Sequence, residues 1–369
     1  MSTPKVYYSI KKDYDKLDNR ILDWTFNGLE VQQYEKILVK PNILGPYPPS
    51  KHANTHWKFI EWILIYLKTR FKGEIVLGDS SSFSTMKSFE VSRIKEVCDR
   101  QNIRWLAFES DEPVKRELLG KEIIIPKAVP ESDLIINLPK LKTHILMKYT
   151  GAVKNLYGCI SGGLKPALHK YFPKEEEFAN VLVELYHTIA QDKEIITIMD
   201  GICGMEGNGP GSGRPVNSKV VISSRNPAAV DLFASYYIGY KMSDILTNKI
   251  LSTEFELVNI DTGSISKIPG YEMEEITGVK RVNFKKPDTI YINFLISSRI
   301  LSTVTSYLGV RRPRINRDKC VGCNICEEIC PVGAIVNLDV DVKRCINCYC
   351  CHEVCQYSAI DLRRRFMQF

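Results

Sequence analysis

Nine of the chain's 12 cysteines fall within its last 50 residues, and their spacing is that of cluster ligands. Cys320-Val321-Gly322-Cys323-Asn324-Ile325-Cys326-Glu327-Glu328-Ile329-Cys330-Pro331 reads C-x2-C-x2-C-x3-C-P, and Cys345, Cys348, Cys351 and Cys355 repeat it 25 residues later. Three thiolates separated by two residues each can wrap three corners of one iron–sulfur cubane. A fourth, further on at the start of a helix, points to another. The spacing therefore predicts two [4Fe-4S] clusters. Cluster I takes Cys320, Cys323, Cys326 and Cys355, and cluster II takes Cys345, Cys348, Cys351 and Cys330. Zinc takes its ligands as two pairs and does not call for three in a row plus a fourth. Cys350 is surplus to the eight and reads as a packed small residue.

A second constellation is polar and basic. Lys40-Pro41-Asn42, Asp79-Ser80-Ser81-Ser82, Pro139-Lys140-Leu141-Lys142-Thr143-His144 and Asp200-Gly201 each follow a short apolar run. Gly151-Ala152-Val153-Lys154-Asn155 comes after Lys142, and a Gly-rich turn from Met205 to Gly213 comes after Asp200. Any one lysine at a strand end is ordinarily a solvated one, and a Gly-rich run alone is ordinarily a surface loop needing positive φ. Their coincidence predicts an anion-binding cleft. Its ligand-holding residues are Lys40, Asn42, His56, Lys140, Lys142, Lys154, Asn155 and Asp200, with Glu206 and His144 as the candidate proton donors. His52 and His56 have the i, i+4 spacing of a helical metal pair but lack an acidic partner.

These residues need a scaffold, and the sequence supplies an alternating one. Lys36–Lys40, Glu74–Gly78, Arg104–Phe108, Glu122–Ile125, Asp133–Asn137 and Ile195–Met199 read as buried strands, while His56–Phe71, Lys87–Gln101, Glu175–Gln191 and Pro227–Gly239 read as helices. Apolar runs alternating with helices predict an α/β fold, a mostly parallel sheet with helices on both faces, whose sites gather beyond the carboxyl ends of the strands. The expected organisation is an α/β domain over 1–296 carrying the basic cleft, a linker helix over 297–313, and a small α+β two-cluster unit over 314–369. The apolar run from Tyr291 to Val310 is broken by Asn293, Arg299 and several hydroxyl residues, which favours a packed linker over a membrane helix.

The tail from Arg314 to Leu362 resembles a bacterial-type two-cluster ferredoxin domain, with Pro331, Gly333-Ala334-Ile335 and Ser358-Ala359-Ile360 in the matching places. Gln356 stands where the second motif usually has Pro. The larger part resembles the domain-of-unknown-function family 362, through Lys40-Pro41-Asn42, Thr55-His56, Leu138–His144, Gly151–Asn155, Asp200-Gly201, Met205–Pro210 and Ala229-Val230-Asp231. That resemblance implies an iron–sulfur protein whose large domain binds or acts on an unidentified compound.

Composition narrows the rest. With 50 Lys+Arg against 43 Asp+Glu the formal net charge is +7, and 44% of residues are hydrophobic, an ordinary globular balance. The excess suits an anionic small molecule or an acidic redox partner protein. It falls short of a nucleic-acid signature, and the basic residues lack interleaved aromatics. The first residues have no apolar core of a secretory signal. Free thiols and clusters in such number fit a reducing, anaerobic cytoplasm. No G-x-G-x-x-G opens a helix after the first strand and no P-loop is present; a flavin bound without such a fingerprint stays open. The leading expectation is an oxidoreductase that passes low-potential electrons from the clusters to an anionic substrate or organic cofactor. The alternative is a non-catalytic electron carrier or docking subunit of a redox complex.

Overall fold

The computed structural model describes residues 3–191, 193–288 and 311–364. The expected linker helix and the Tyr291–Val310 run fall almost wholly outside them; Arg311 already belongs to a strand. In chain order the strands are β1 (Lys5–Ile10), β2 (Lys36–Pro41), β3 (Glu74–Asp79), β4 (Arg104–Ala107), β5 (Pro113–Leu118), β6 (Lys121–Pro126), β7 (Leu134–Leu138), β8 (Lys140–His144), β9 (Lys148–Tyr149), β10 (Glu194–Glu206), β11 (Arg214–Ser224), β12 (Phe255–Asn259) and β13 (Ile265–Ile268). In the tail they are β14 (Arg311–Ile315), β15 (Ile335–Val336), β16 (Asp339–Val340) and β17 (Ile360–Arg364).

One eleven-stranded sheet organises the large domain, in the order β13-β12-β1-β11-β10-β7-β2-β3-β4, with β8 paired to β10 and β9 to β8. The half from β10 to β4 is parallel throughout, while β11 runs antiparallel to both of its neighbours. Alternation along the strands sends apolar side chains to both faces, the pattern of a sheet covered on both sides. Ile37, Val39, Ile75 and Leu77 enter a core with the helices Arg20–Phe26, Trp57–Arg70 and Ile94–Gln101. Leu38, Val76 and Ile135 enter another with the helix Glu175–Ala190. A third core forms where the helix Pro227–Tyr237 packs on Met199, Val220 and Ile222.

Four expectations are corrected here. The run Glu122–Ile125 is a strand of a separate hairpin with β5 and stays off the main sheet. The single helix expected over Lys87–Gln101 is two, Thr85–Val91 and Ile94–Gln101, because Arg93 adopts a left-handed φ of 65° between them. The strand starting near Ile195 does not end at Asp200-Gly201 but runs on to Glu206, the second residue of the Gly-rich run, since it pairs with β11, a strand whose polar start hid it. Finally, Lys140–His144, expected as the polar end of the strand from Asp133, is itself a fully buried strand.

In the tail, β14 pairs antiparallel with β17 and β15 with β16. The short helices Ile325–Glu328 and Cys350–Val354 lie within the two cysteine runs, each carrying the third cysteine of its motif and ending before the fourth. Among the described residues no helix is long and apolar enough to cross a membrane.

Candidate functional site

Two small cavities in the tail are each lined by cysteines of both runs. One is lined by Cys320, Cys323, Cys326 and Cys355, the second by Cys330, Cys345, Cys348 and Cys351 together with Cys350. The backbone is wound alike around both. Gly322 and Asn347 have φ of 72° and 55°, and Asn324 and Tyr349 have φ of 59° and 60°, so each run turns left-handed twice between its cysteines. In each motif the fourth sulfur accepts a backbone N–H from four residues on, Ala334 N to Cys330 Sγ at 3.1 Å and Ala359 N to Cys355 Sγ at 3.2 Å. Such N–H···S bonds favour a thiolate over a thiol. All 12 cysteines are free of disulfides. The donor set and its surroundings fit iron–sulfur clusters.

Above the carboxyl ends of β2 and β3 lies a cavity of about 530 Å³, within the range of small-molecule sites. Five lysines reach its wall: Lys40, Lys140, Lys142, Lys154 and Lys165. Two of them are neutralised. Lys40 Nζ lies 2.8 Å from Asp79 Oδ1, with both side chains buried, and Lys140 Nζ lies 2.6 Å from Asp200 Oδ2 and 2.8 Å from the Tyr14 hydroxyl. Gly158 is needed here, because a Cβ at that position would stand 2.3 Å from Asp79 Oδ1 and 2.5 Å from Lys40 Nζ.

Among the described residues, the other three lysines have only neutral hydrogen-bond acceptors or none. Lys142 Nζ donates to Asn42 Oδ1 at 2.6 Å and to the Ala53 carbonyl at 2.7 Å. Burial, then the charges of Lys154 and Lys140, pull its pKa down to about 7. Lys165 Nζ donates to the Ser80 carbonyl and, at 2.9 Å, to Ser80 Oγ; burial brings it to about 8. Lys154 sits on the short helix Gly151–Asn155, pinned by Asp231, whose carboxylate accepts Ala152 N at 2.5 Å and Val153 N at 2.9 Å. The Lys154 ammonium lies 5.7 Å over the Tyr157 ring, and burial lowers its pKa. A cavity with buried cations and too few carboxylates favours an anion that would restore their charge.

The tail closes one side of this cavity. Ile329, Cys350, Glu353 and Val354 are part of its wall, so the sequence neighbours of Cys330, Cys351 and Cys355 face the same space as Lys154. Glu353 is pushed above the usual carboxylate range by burial, opposed by Lys154 and Lys142. Cys350, read from sequence as packing, does pack, but in the cavity wall.

Of the ten cleft residues singled out by sequence, Lys40, Asn42, Lys140, Lys142, Lys154 and Asn155 line the cavity. The other four are placed elsewhere. Asp200 is spent on Lys140 and Tyr14. His56 starts the helix Trp57–Arg70: its backbone N–H donates to Asp200 at 2.9 Å and its ring stacks on Tyr14 at 3.9 Å. Glu206 accepts from Arg214 at 2.6 Å and from Lys285 N at 2.7 Å. His144 uses Nδ1 to accept Leu146 N and Met147 N, leaving Nε2 3.2 Å from Glu353 Oε1. Burial holds it well below its ordinary pKa, so it is a neutral contact between the large domain and the tail, away from the cavity lining. Lys165, Glu109 and Glu353 were not assigned from sequence, and Ser80 was noted only within the strand end Asp79–Ser82. Glu353 carried no distinguishing signal, since Glu328 holds the equivalent place in the first run and is exposed; Lys165 had only the Gly162-Gly163 turn before it.

The two parts together define an iron–sulfur protein in which a 4Fe-4S unit abuts an α/β domain with a basic cavity. Residues 37–236 match the family described as domain of unknown function (DUF362), and residues 313–336 match the 4Fe-4S binding domain. The chain belongs to the DUF362 family and carries a C-terminal 4Fe-4S binding domain of the electron-transfer type. It is similar to the thylakoid-associated protein sll1697 of Synechocystis sp., at 29% identity over 206 residues, 55% of this chain and 63% of that relative. It thus spans less than two thirds of that relative's length. Among solved structures, the lactate racemase apoprotein from Thermoanaerobacterium thermosaccharolyticum aligns with a TM-score of 0.43 and 14% identity over 63% of this chain and 57% of that one. So distant a likeness carries no functional argument.

Proposed function

We propose that the chain is an oxidoreductase that takes electrons from a redox partner protein through two [4Fe-4S] clusters to an anionic substrate or organic cofactor in the lysine-walled cavity. The observation that carries this reading is the shared wall: the helix Cys350–Val354, set among cluster ligands, also lines the cavity. When bound, the clusters supply electrons one at a time. The chain's own residues do the rest. Lys154 and Lys142 attract and orient the anion by charge-assisted hydrogen bonds. Lys142, poised near neutrality, can also hold or release a proton at Nζ as the ligand's charge changes. Electrons enter at the first cysteine set, where Cys323 is exposed beside Val321 and Tyr357, 58% and 53% exposed. The free thiols suit a reducing, anaerobic cytoplasm.

The test is anaerobic purification followed by iron and sulfide analysis and mass spectrometry of co-purified small molecules. About eight iron and eight sulfide per chain are expected, with one cluster damaged in each of Cys320→Ala and Cys345→Ala and neither in Cys350→Ala. Iron near four overturns the cluster count. A cavity that retains no anionic compound, from cells or from added ones, overturns the oxidoreductase and leaves an electron carrier.

A further inference from the structure

The two cysteine runs are wound alike, but at one of their equivalent left-handed positions an exposed residue in the first run is matched by a buried one in the second. The residue after the second cysteine of each run is left-handed, Asn324 with φ 59° and Tyr349 with φ 60°. Asparagine tolerates that conformation and here it is exposed. A bulky aromatic there is an outlier, kept only where its surroundings over-determine it.

Those surroundings are the large domain. Tyr349 is 7% exposed and belongs to the same apolar cluster as Ile145, Leu146, Tyr157 and Leu182, all from the α/β domain. Its hydroxyl donates to the Arg311 carbonyl at 2.9 Å, at the start of β14. One side chain therefore joins the turn between Cys348 and Cys351, the first strand of the tail and the core beneath the cavity. The next residue, Cys350, is cavity wall.

We infer that Tyr349 is a positioning residue, a latch that seats the second cysteine set against the cavity wall. Its purpose rests on the function proposed above; its action as a latch is independent of any cavity ligand. The first run, with Asn324, leaves its own cysteines open to a partner. The departure from Asn to Tyr thus separates an outward-facing cluster site from an inward-facing one.

The test uses the full-length holoprotein under anaerobic conditions, comparing wild type, Tyr349→Asn and Tyr349→Phe. Asparagine fits the left-handed turn, as it does at position 324, so iron and sulfide content should be unchanged in Tyr349→Asn. Amide hydrogen exchange in 145–157 and 350–354 should rise about tenfold or more, because an opening made easier by about 1.4 kcal/mol exchanges ten times faster. The rate at which dithionite-reduced protein passes electrons to methyl viologen should stay at the wild-type value, since that acceptor reaches the exposed set. Tyr349→Phe keeps the ring and should follow wild type in exchange within about threefold. Unchanged exchange in Tyr349→Asn overturns the latch. So does loss of iron, which would make Tyr349 a residue of the cluster's own fold. Neither readout needs a cavity ligand, so the latch fails separately from the oxidoreductase reading, which stands on the mass spectrum above.

Discussion

The floor of the cavity and its tail-facing wall use the same side chain in opposite circumstances. On the floor, Lys40 of β2 and Lys140 of β8 are each closed onto a buried carboxylate, Asp79 and Asp200. Toward the tail, Lys142 and Lys154 face Glu353, whose burial and raised pKa work against its charge. Burial alone therefore does not mark a functional lysine, and neither does its place at a strand end. What differs is whether the fold has already supplied the counter-charge. Floor lysines hold two strand ends together, while tail-side lysines leave that role to something that binds.

The comparison breaks first at the floor. Lys40→Met strands Asp79 in a dry site, and removing one partner of a buried pair typically costs about 3–5 kcal/mol. Chemical denaturation of Lys40→Met should show a loss of that order, while Lys142→Met and Lys154→Met should leave the ligand-free protein as stable as wild type or slightly more so. Lys140→Met belongs with Lys40 on this view, although its place in the sequence motif groups it with Lys142. Equal losses in all four variants would abolish the distinction.

The next effect is on binding. Each charge-assisted hydrogen bond lost from Lys142 or Lys154 contributes about 1.5–3 kcal/mol, roughly a 10- to 150-fold fall in affinity. Thermal midpoints measured with and without phosphate or a small dicarboxylate should show a ligand-dependent gain in wild type that shrinks in Lys142→Met and Lys154→Met. A gain of the same size in these variants as in wild type would rule out the tail-side lysines as the anion site.

Much of this was legible in the sequence, and the illegible part has a physical pattern. Cysteine spacing alone announced a 4Fe-4S binding unit, because three cysteines within seven residues leave the chain little freedom. The parallel half of the sheet was legible from continuous apolar runs such as Ile37-Leu38-Val39 and Ile135-Ile136. The antiparallel half was not. β11 begins Arg214-Pro215-Val216-Asn217 and turns apolar only where it enters the core. Among cleft residues, type and position revealed the lysines but not their partners, since Asp79 and Asp200 come from strands 39 and 60 residues away from the lysines they neutralise. His144 was misplaced for the same reason: its neighbour Glu353 lies in the tail, and no local pattern announces a contact between domains.

The smallest effect sharpens the comparison through pH. Lys142 is pulled down to about 7 by burial and by its lysine neighbours, whereas an unfolded lysine titrates near about 10.4. Below pH 7 both states carry the proton, and the cost of burying it is fully present. Between about pH 7 and 10.4 the native state has lost that proton and the unfolded state still holds it, so the unfolded state binds more protons and stability rises with pH. One such group contributes a slope of up to about 1.4 kcal/mol per pH unit. Lys165, held near 8, adds the same sign starting one unit higher. Anion affinity must move the other way, because the neutral amine that relieves the fold no longer attracts the ligand. Unfolding free energies and sulfate-induced midpoint gains collected from pH 6 to 9, where sulfate keeps its charge, should therefore run in opposite directions in wild type, and Lys142→Met should flatten both. If Lys142→Met retains the full wild-type pH dependence in both measurements, Lys142 is not the group that sets it, and the contrast between the tail-side wall and the floor fails.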